Sequence, residues 1–568
     1  MGSYCGWFVP DLRGNVAHFF IISLSQIVAG CDNMEKALTM GQHSATGSFH
    51  LFAGKTLSTI ILAVGAIVLG WFILEGDYGL YAVALIPATT YMLFQDWGVG
   101  SAMTRYCAQC RAQKKEGALR RIIVAGLAFE AASGIVLTLL SLFASNFIAI
   151  TIFGKPESAF LITIVSVTVF FTSISVATQN IFVGFERMKL YSLTMIGQAI
   201  VQSAFAPLLV YMGYGAFGAV VGYTVASVAA GVISVFLLYF SVFRKLVHSD
   251  GDGPGLLQVL KPLLNFGIPL AIAVTSAGFL TQFYSIVMAS FVDNAMIGNF
   301  RVASNFGLLL TFLTFPITTV LFPLFSKIHP VKEKSLLKQV FGSSAKYTAF
   351  LLLPATIAMM VLAQPIIGTV YGAKWLYAPS FLVLFVMTNL LAVFGNFSVQ
   401  SVLIALGETR LWMKLNVLTL AIGVPLAFLL IPALGIVGVI VGSLVAVVPA
   451  TLLAMYLAWK RYGVVIDFRV SLRILFASVV AGAAVYLFLS VLSMAEWVEL
   501  TAGFVLFLGV FLTAAPIVGA VSSSDVSNIR AMFSGLGMLY RLLNIPLVIM
   551  EKMLNICGRA QVLMKDAS

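Results

Sequence analysis

Long apolar runs, separated by short polar connections, repeat along almost the whole chain. They fall at about 52–74, 79–98, 120–143, 158–181, 191–211 and 215–240. After a polar linker at 241–259 they resume at about 262–288, 297–322, 347–369, 379–404, 412–431, 435–458, 473–492 and 498–519. Each approaches the length an α-helix needs to cross a bilayer, about 20 residues. The pattern therefore predicts 14 transmembrane helices. Pro316, Pro354, Pro425 and Pro449 lie inside runs, where they kink helices rather than end them. The period-two alternation of an outer-membrane barrel is lacking, so the expected fold class is an all-α polytopic membrane protein.

The charged residues sort by connection. With the N-terminus in the cytoplasm, every even-to-odd connection should be cytoplasmic and basic. The 105–121 stretch carries Arg105, Arg111, Lys114, Lys115, Arg120 and Arg121. Arg187 and Lys189, Arg244 and Lys245, Lys327 through Lys346, Arg410 and Lys414, and Lys460 and Arg461 follow the same rule. The other side has Lys155 and Lys374 against Glu75, Asp77, Glu157, Asp293, Glu496 and Glu499. Both termini are thus expected in the cytoplasm, at a multi-pass cell membrane.

Two stretches repeat at a spacing of about 220 residues. Gly215, Gly218 and Gly222 open the sixth run, and Gly435, Gly438 and Gly442 open the twelfth. Upstream, GFERMKLYSLTMI from Gly184 resembles GETRLWMKLNVLTL from Gly407. Small residues at this spacing allow helices to approach closely in lipid. Six runs separate the copies, so they are parallel repeats, of the kind that rock around a central site. The implied division is an N-lobe at 49–240, a cytoplasmic linker at 241–261 and a C-lobe at 262–460. Two further helices lie in 461–520, and an amphipathic cytoplasmic tail with Pro546 in it occupies 521–568. Residues 1–48 are an N-terminal extension, either interfacial or upstream of a start at Met34 or Met40.

Composition agrees with a membrane body. The 568 residues are 60% hydrophobic and 10% charged, with a mean hydropathy of +1.03. Soluble chains of this size carry about 25% charged residues. The net charge of +12 is explained by the basic connections, so no nucleic-acid partner is implied. The cysteines form no disulfide or metal framework; Cys107 and Cys110 make a C-x-x-C with no other ligands near in sequence. No metal or cofactor is implied.

Several polar side chains lie inside apolar runs, where they are costly and frequently functional. Arg301 stands about two turns inside the eighth run, either binding an anion or pairing with Asp293. Glu130 sits mid-way along the third run. It is protonated, pairs with a cavity cation, carries a coupling proton or sodium ion, or makes a polar packing contact. Asp96, at the end of the second run, pairs with Arg105 or with a helix end. Gln282, Asn396 and Gln400, with Gln179, Asn180, Gln198 and Gln202, line a sugar path or join helices. Glu186, Arg187, Glu408 and Arg410, in the repeated connections, are gate or hinge contacts or solvated loop charges.

Five phrases in order, FHLFAGKTLSTIILAVGAIVLGWFIL from Phe49, YGLYAVAL from Tyr78, DWGVGSAMTRY from Asp96, IGNFRVASNFGLLLTF from Ile297 and GETRLWMKLN from Gly407, carry a resemblance. Together they make the chain similar to the polysaccharide-biosynthesis flippases of the multidrug/oligosaccharidyl-lipid/polysaccharide exporter superfamily. The resemblance implies a transporter, not an enzyme, moving a polyprenyl-phosphate- or diphosphate-linked oligosaccharide to the outer leaflet. It also implies Arg301 and Lys55 as phosphate contacts, while positive-inside anchoring is the other reading of Lys55 at the cytoplasmic start of the first run. Glu130, Gln282, Asn396 and Gln400 are further substrate-binding candidates from their places inside the runs. The expected partners are the lipid-linked glycan, membrane lipids and glycan polymerases or glycosyltransferases, with the protein monomeric. Coupling to sodium or protons fits the superfamily. The alternative is a sodium- or proton-coupled drug or metabolite exporter. A membrane glycosyltransferase is disfavoured, since connections between runs are under 30 residues and lack a nucleotide-sugar site.

Overall fold

The computed structural model describes residues 34–246, 255–330, 332–492, 494–533 and 544–556. Residues 1–33, most of the expected N-terminal extension, lie outside the described residues, as does 247–254 of the linker. All the elements described are helical. The first half contains Met34–Phe72 (α1), Glu75–Met92 (α2), Val99–Ala112 (α3) and Glu116–Phe147 (α4). It continues with Ser158–Gly184 (α5), Met188–Leu209 (α6) and Gly215–Ser241 (α7). Leu256–Phe291 (α8) and Asn294–Lys327 (α9) follow, then Lys334–Val361 (α10), Ala363–Tyr371 (α11), Ala378–Met387 (α12) and Asn396–Ala405 (α13). Thr409–Leu434 (α14), Ile436–Tyr462 (α15), Phe468–Val491 (α16), Glu496–Ile517 (α17) and Ser523–Phe533 (α18) complete the order.

Nine helical runs among the described residues are long and apolar enough to cross a membrane, ten if the bent pair Ala378–Phe394 and Asn396–Ala405 counts as a span. One of the nine, Met188–Lys245, is divided by the left-handed Gly213. The protein is a multi-span, all-α membrane protein.

Three departures from the apolar pattern shape the body. The basic 105–121 stretch, expected as a loop, is helical to Ala112 as α3. Its inner face packs on α5, with Cys107 buried and Thr104 Oγ1 donating to the Asn180 carbonyl at 2.8 Å. Its density of charge hid an amphipathic helix. Between α2 and α3 the chain breaks at Leu93–Gly98, where Trp97 and Gly98 have φ of 49° and 76°. The expected tenth run bends by 60° at Gly395, whose φ is 61°.

The tail also differs from a helix merely lying on lipid. Leu547 and Met550 are buried in the main core, and Lys346 of α10 donates to Asp525 of α18. Tyr347 and Asn528 add a 3.0 Å hydrogen bond. The part described is docked onto the second half, because its polar residues find partners there.

α1 packs on α6, α4 on α5 and α5 on α7, while α14 packs on α15 and α16 on α17. α8 belongs to both halves. Its first part leans on α3 and α4, whereas Tyr284 further along donates to the Gly423 carbonyl of α14 at 3.0 Å.

The cores reveal how the halves meet. One cluster unites Leu69, Phe153 and Val210 of the first half with Val292, Ile297 and Tyr371 of the second. At the opposite end two smaller clusters stay apart, one around Cys107, Leu119 and Leu238 and the other around Leu337, Leu403 and Ala458. Burial of apolar area is the main favourable term in packing, about 25 cal/mol per Å2. The large cluster therefore joins the two halves, while beside the basic connections the buried residues fall into two separate clusters, the first of which takes in Leu263 of α8. The ion pairs Arg111–Glu186, Lys346–Asp525, Arg461–Glu408 and Arg530–Glu551 each join groups within a single half or the tail docked on it.

Candidate functional site

The seal is built where α2 meets α9. A Cβ on Gly79 would lie 1.7 Å from the Asn294 carbonyl oxygen, and one on Gly298 would lie 2.2 Å from that of Glu75. Only glycine at both places lets the two backbones touch. Asn299, fully buried, then knits the contact. Its Nδ2 donates to Glu75 Oε2 at 3.0 Å, and its Oδ1 accepts from the Tyr377 and Ala378 amides at 3.1 Å each. Asn305 Nδ2 reaches the Tyr78 hydroxyl at 3.2 Å and the Tyr371 hydroxyl at 3.4 Å. Two lysines close the rim: Lys374 Nζ donates to the Trp71 and Ile73 carbonyls, and Lys155 Nζ to that of Val292 at 2.8 Å. Nothing in the apolar pattern announced these residues, apart from amides and tyrosines inside runs.

Arg301 lies just beneath this seal, 7 residues past the start of α9 at Asn294, about 11 Å along the helix. Its side chain is exposed, and among the described residues it has no ion pair. Its charge acts on Tyr81 of α2, Tyr223 of α7 and Tyr371 of α11. These tyrosines belong to both halves, so Arg301 stands near the junction of the halves. The alternative pairing with Asp293 is not made. Asp293 instead caps α9, accepting from the Ala295 amide at 2.9 Å.

Lys55 is exposed on α1, but 17 residues from the end of that helix at Phe72, about 25 Å along its axis. The two cations implied as phosphate contacts therefore stand at different depths, about 15 Å apart along the helices. Gln282 joins the halves, its Oε1 accepting from Thr89 Oγ1 of α2 at 3.3 Å. Asn396 opens α13 after the bend and accepts from Thr451 of α15 at 3.2 Å. Gln400 is half-buried one turn further on. These polar residues lie along the structure without converging on Arg301.

The residues of the repeated connections sit within their own halves. Glu186 pairs with Arg111 at 3.2 Å, and Arg187 donates to the Ser241 carbonyl at 2.6 Å. Glu408 accepts from Arg461 and from the Tyr462 hydroxyl, both at 2.7 Å. The Tyr462 hydroxyl and Arg461 together hold its carboxyl below the usual range, despite partial burial. Arg410 is exposed beside it.

Glu130 is buried on α4, at 1% exposure. Ser173 Oγ of α5 lies 2.7 Å from its Oε2 and 2.9 Å from its carbonyl. Asp96 accepts from the Gly100 amide at 2.6 Å, so it caps the start of α3; Arg105 instead stacks over Phe266 at 4.6 Å. Burial pushes the Cys107 thiol up to about 12, which keeps it protonated and unsuited to metal or redox chemistry at neutral pH. Among the described residues no group of three or more His, Cys, Asp or Glu side chains is placed to hold a metal.

Comparison with known proteins places this arrangement. A family model described as polysaccharide biosynthesis protein matches residues 68–379, more than half of the chain. The chain belongs to this family. It is 28% identical over 253 residues to the lipopolysaccharide biosynthesis protein WzxC of Escherichia coli K12, covering 43% of this chain and 48% of that protein. It is 27% identical over 296 residues to the probable lipid II flippase MurJ of Rhizobium meliloti, covering 49% and 54%. The chain thus spans about half the length of these curated relatives. Stage V sporulation protein B of Bacillus subtilis matches at 22% identity over 72% of this chain and 82% of its own.

Among solved structures, the lipid II flippase MurJ in its inward closed conformation superposes with a TM-score of 0.66. That match covers 82% of this chain and 98% of the flippase at 16% identity. An inward-facing multidrug resistance transporter of the MATE family gives 0.57 at 16% identity, over 73% of this chain and 98% of its own. At these identities the likeness is one of fold.

Proposed function

We propose that this protein moves a lipid-linked oligosaccharide from the cytoplasmic to the outer leaflet by alternating access, acting as a transporter and not as an enzyme. The observation that carries the reading is Arg301, an exposed guanidinium beside the contact of α2 with α9, where the two halves share one core. A planar fork of donors suits a phosphate or an acidic sugar. The polyprenyl phosphate or diphosphate of the carrier supplies that anion. Lys55, at another depth, meets the headgroup at a different stage of the passage. Gln282, Asn396 and Gln400 offer amides to the sugars, and Glu186, Arg187, Glu408 and Arg410 act as hinge contacts at the two repeated turns. The relatives named as a lipid II flippase and a lipopolysaccharide biosynthesis protein support the substrate class.

A reconstituted flipping assay tests this, with polyprenyl-linked glycans carrying one phosphate, two phosphates or none. The wild type should flip the phosphorylated carriers. Arg301→Ala should slow them about 10- to 100-fold, the equivalent of about 1.5–3 kcal/mol for a hydrogen bond to a charged group. Arg301→Lys should slow them less. Equal flipping by wild type and Arg301→Ala would remove Arg301 from the site. Failure of the wild type on every carrier would overturn the reading in favour of an ion-coupled drug or metabolite exporter.

The finer architecture belongs to the same proposal: 14 spans in two parallel six-helix halves, 49–240 and 262–460, joined by the 241–261 linker. Two added helices in 461–520 and the 521–568 tail complete it, with both termini cytoplasmic and the protein monomeric. Glycan polymerases or glycosyltransferases would act alongside it. Backbone geometry supports the repeat. Gly215 and Gly435 share a rare conformation, φ 48° and ψ −132° against φ 58° and ψ −130°. The turns at Glu186 and Gly407 close with the same two bonds, Arg187 to Phe182 with Glu186 to Val183, and Glu408 to Leu403 with Gly407 to Ile404. That is the Schellman pattern, and it pairs Glu186, not Gly184, with Gly407. External labelling of cysteines placed in the 113–115 turn would refute the orientation.

A further inference from the structure

The end of α15 that carries Lys460 and Arg461 borders an apolar cavity of about 300 Å3. Phe341 of α10, Val399 of α13 and Ala458 of α15, all buried, form its floor. Tyr456, Trp459 and Phe468, all exposed, stand at its mouth. Among the described residues no charged side chain lines it. A hydrocarbon chain gains from such walls, whereas a polar solute would give up its water for little in return.

Cations stand beside this apolar space. The chain leaves α15 through Gly463, where a Cβ would lie 2.9 Å from Lys334 Cε and 3.0 Å from Lys338 Cε. Val464, the next residue, lines the cavity. Lys334 and Lys338 are exposed, one turn apart on α10, and neither makes an ion pair among the described residues. Lys460 lies over the Tyr456 ring at the mouth, 6.0 Å from its centroid. The acidic groups of the same connections are already engaged. Glu408 accepts from Arg461 and Tyr462, Asp467 from the Arg469 and Val470 amides, and Glu333 from the His329 amide.

Apolar room and spare positive charge thus meet at the end of the span Ile436–Tyr462, beside aromatic side chains of the kind that mark a membrane surface. We propose that this cavity binds an anionic phospholipid of the bilayer, with acyl chain in the cavity and phosphate on Lys334 and Lys338. The walls come from α10, α13, α15 and the 463–468 turn, all in the second half. A transported lipid must pass between the halves, and this one need not, so the inference stands apart from Arg301 and from the proposed substrate. The site also adjoins the bend of the tenth run. A Cβ on Gly395 would lie 2.5 Å from Ile466 Cδ1, and the rings of Phe394 and Phe468 meet edge-on with centroids 6.0 Å apart. Ile466 and Phe468 both line the cavity, so its occupant touches the side chains packed on the bend.

Tryptophan quenching by lipids brominated on their acyl chains reads the site, because Trp459 stands at the mouth and bromine quenches at contact range. The full-length protein is reconstituted in phosphatidylcholine doped with brominated phosphatidylglycerol or brominated phosphatidylcholine. Subtracting the emission of Trp459→Phe isolates the Trp459 signal. Brominated phosphatidylglycerol should quench it at a lower mole fraction than brominated phosphatidylcholine. Two lysines at a membrane surface favour an anionic lipid by about 30-fold, so replacing both, Lys334→Gln with Lys338→Gln, should raise the midpoint by about that factor. Lys552→Gln, exposed on the tail, should leave it unchanged. Equal quenching of the wild type by the two lipids, or an unmoved midpoint in the double variant, would overturn the proposal. An equal shift in Lys552→Gln would reduce the effect to general surface attraction and overturn it too. Displacement of the quencher by polyprenyl phosphate, but not by unbrominated phosphatidylglycerol, would refute a bilayer lipid in favour of the carrier. Displacement by soluble glycerol phosphate would refute the acyl chain. If Trp459→Phe fails to fold, native mass spectrometry decides: equal retention of phosphatidylglycerol by the wild type and the double lysine variant would overturn the site.

Discussion

Gly79→Ala should open the sealed end. The added Cβ would sit 1.7 Å from the Asn294 carbonyl oxygen, whereas ordinary contact begins near 3.4 Å, so α2 must retreat by roughly 1.7 Å. A shift of that size breaks the 3.0 Å bond between Asn299 and Glu75 and the 3.2 Å bond between Asn305 and Tyr78. Losing a hydrogen bond to a charged group costs about 1.5–3 kcal/mol, and overpacking a tight contact costs about 1–3 kcal/mol more. The helix propensity that alanine adds is common to sealed and open forms and cancels. The equilibrium should therefore move toward the open form by about two to four orders of magnitude. Spin labels at Tyr214 and Leu376, exposed at 55% and 70%, would report the separation by electron double resonance in a cysteine-free background. The variant should show longer distances than the parent. Gly76→Ala, with nothing within 4 Å of its new Cβ, should not. An unchanged short distance in Gly79→Ala would refute the role given to this contact.

Further outcomes follow from the same geometry. Burial lowers the Lys155 amine to about 8, against the pull of Asp293 and Glu157. Opening the seal exposes it and returns it toward 10.5, so opening takes up protons; the sealed form should gain as pH rises from about 8 to 10.5, read by the same labels. Lys155→Ala should abolish that dependence, and a dependence of opposite sign would contradict the linkage. Asp525 is held below its ordinary value of 3.8: burial raises it, but the Lys346 ammonium and the Ser522 hydroxyl and amide outweigh that. Its contribution to tail docking should therefore persist down to that value and be lost only below it. Asp525→Asn should weaken docking by about 1–3 kcal/mol, seen as faster amide exchange in α18; unchanged exchange would argue that the buried apolar contacts alone hold the tail.

Hydropathy alone determined the class of this protein, because a helix that must satisfy its backbone in lipid writes its length directly into the chain. The apolar runs became helices, and Arg301 stood out because an arginine in such a run carries a high cost. Glycines at 215 and 435 marked real turns, since their positive φ excludes most side chains. The tertiary structure decided what those features do. The charges of 105–121 read as a loop, yet α3 is a helix, because the face that matters is buried against α5 and only packing identifies it. Gly79 and Gly298 looked like any other glycines until two backbones met across the halves. Asn299 and Glu75 lie 224 residues apart, and Thr89 and Gln282 lie 193 apart. Linear spacing carries no record of such pairs, because the contacts that join them run between helices, and only folding brings those helices together.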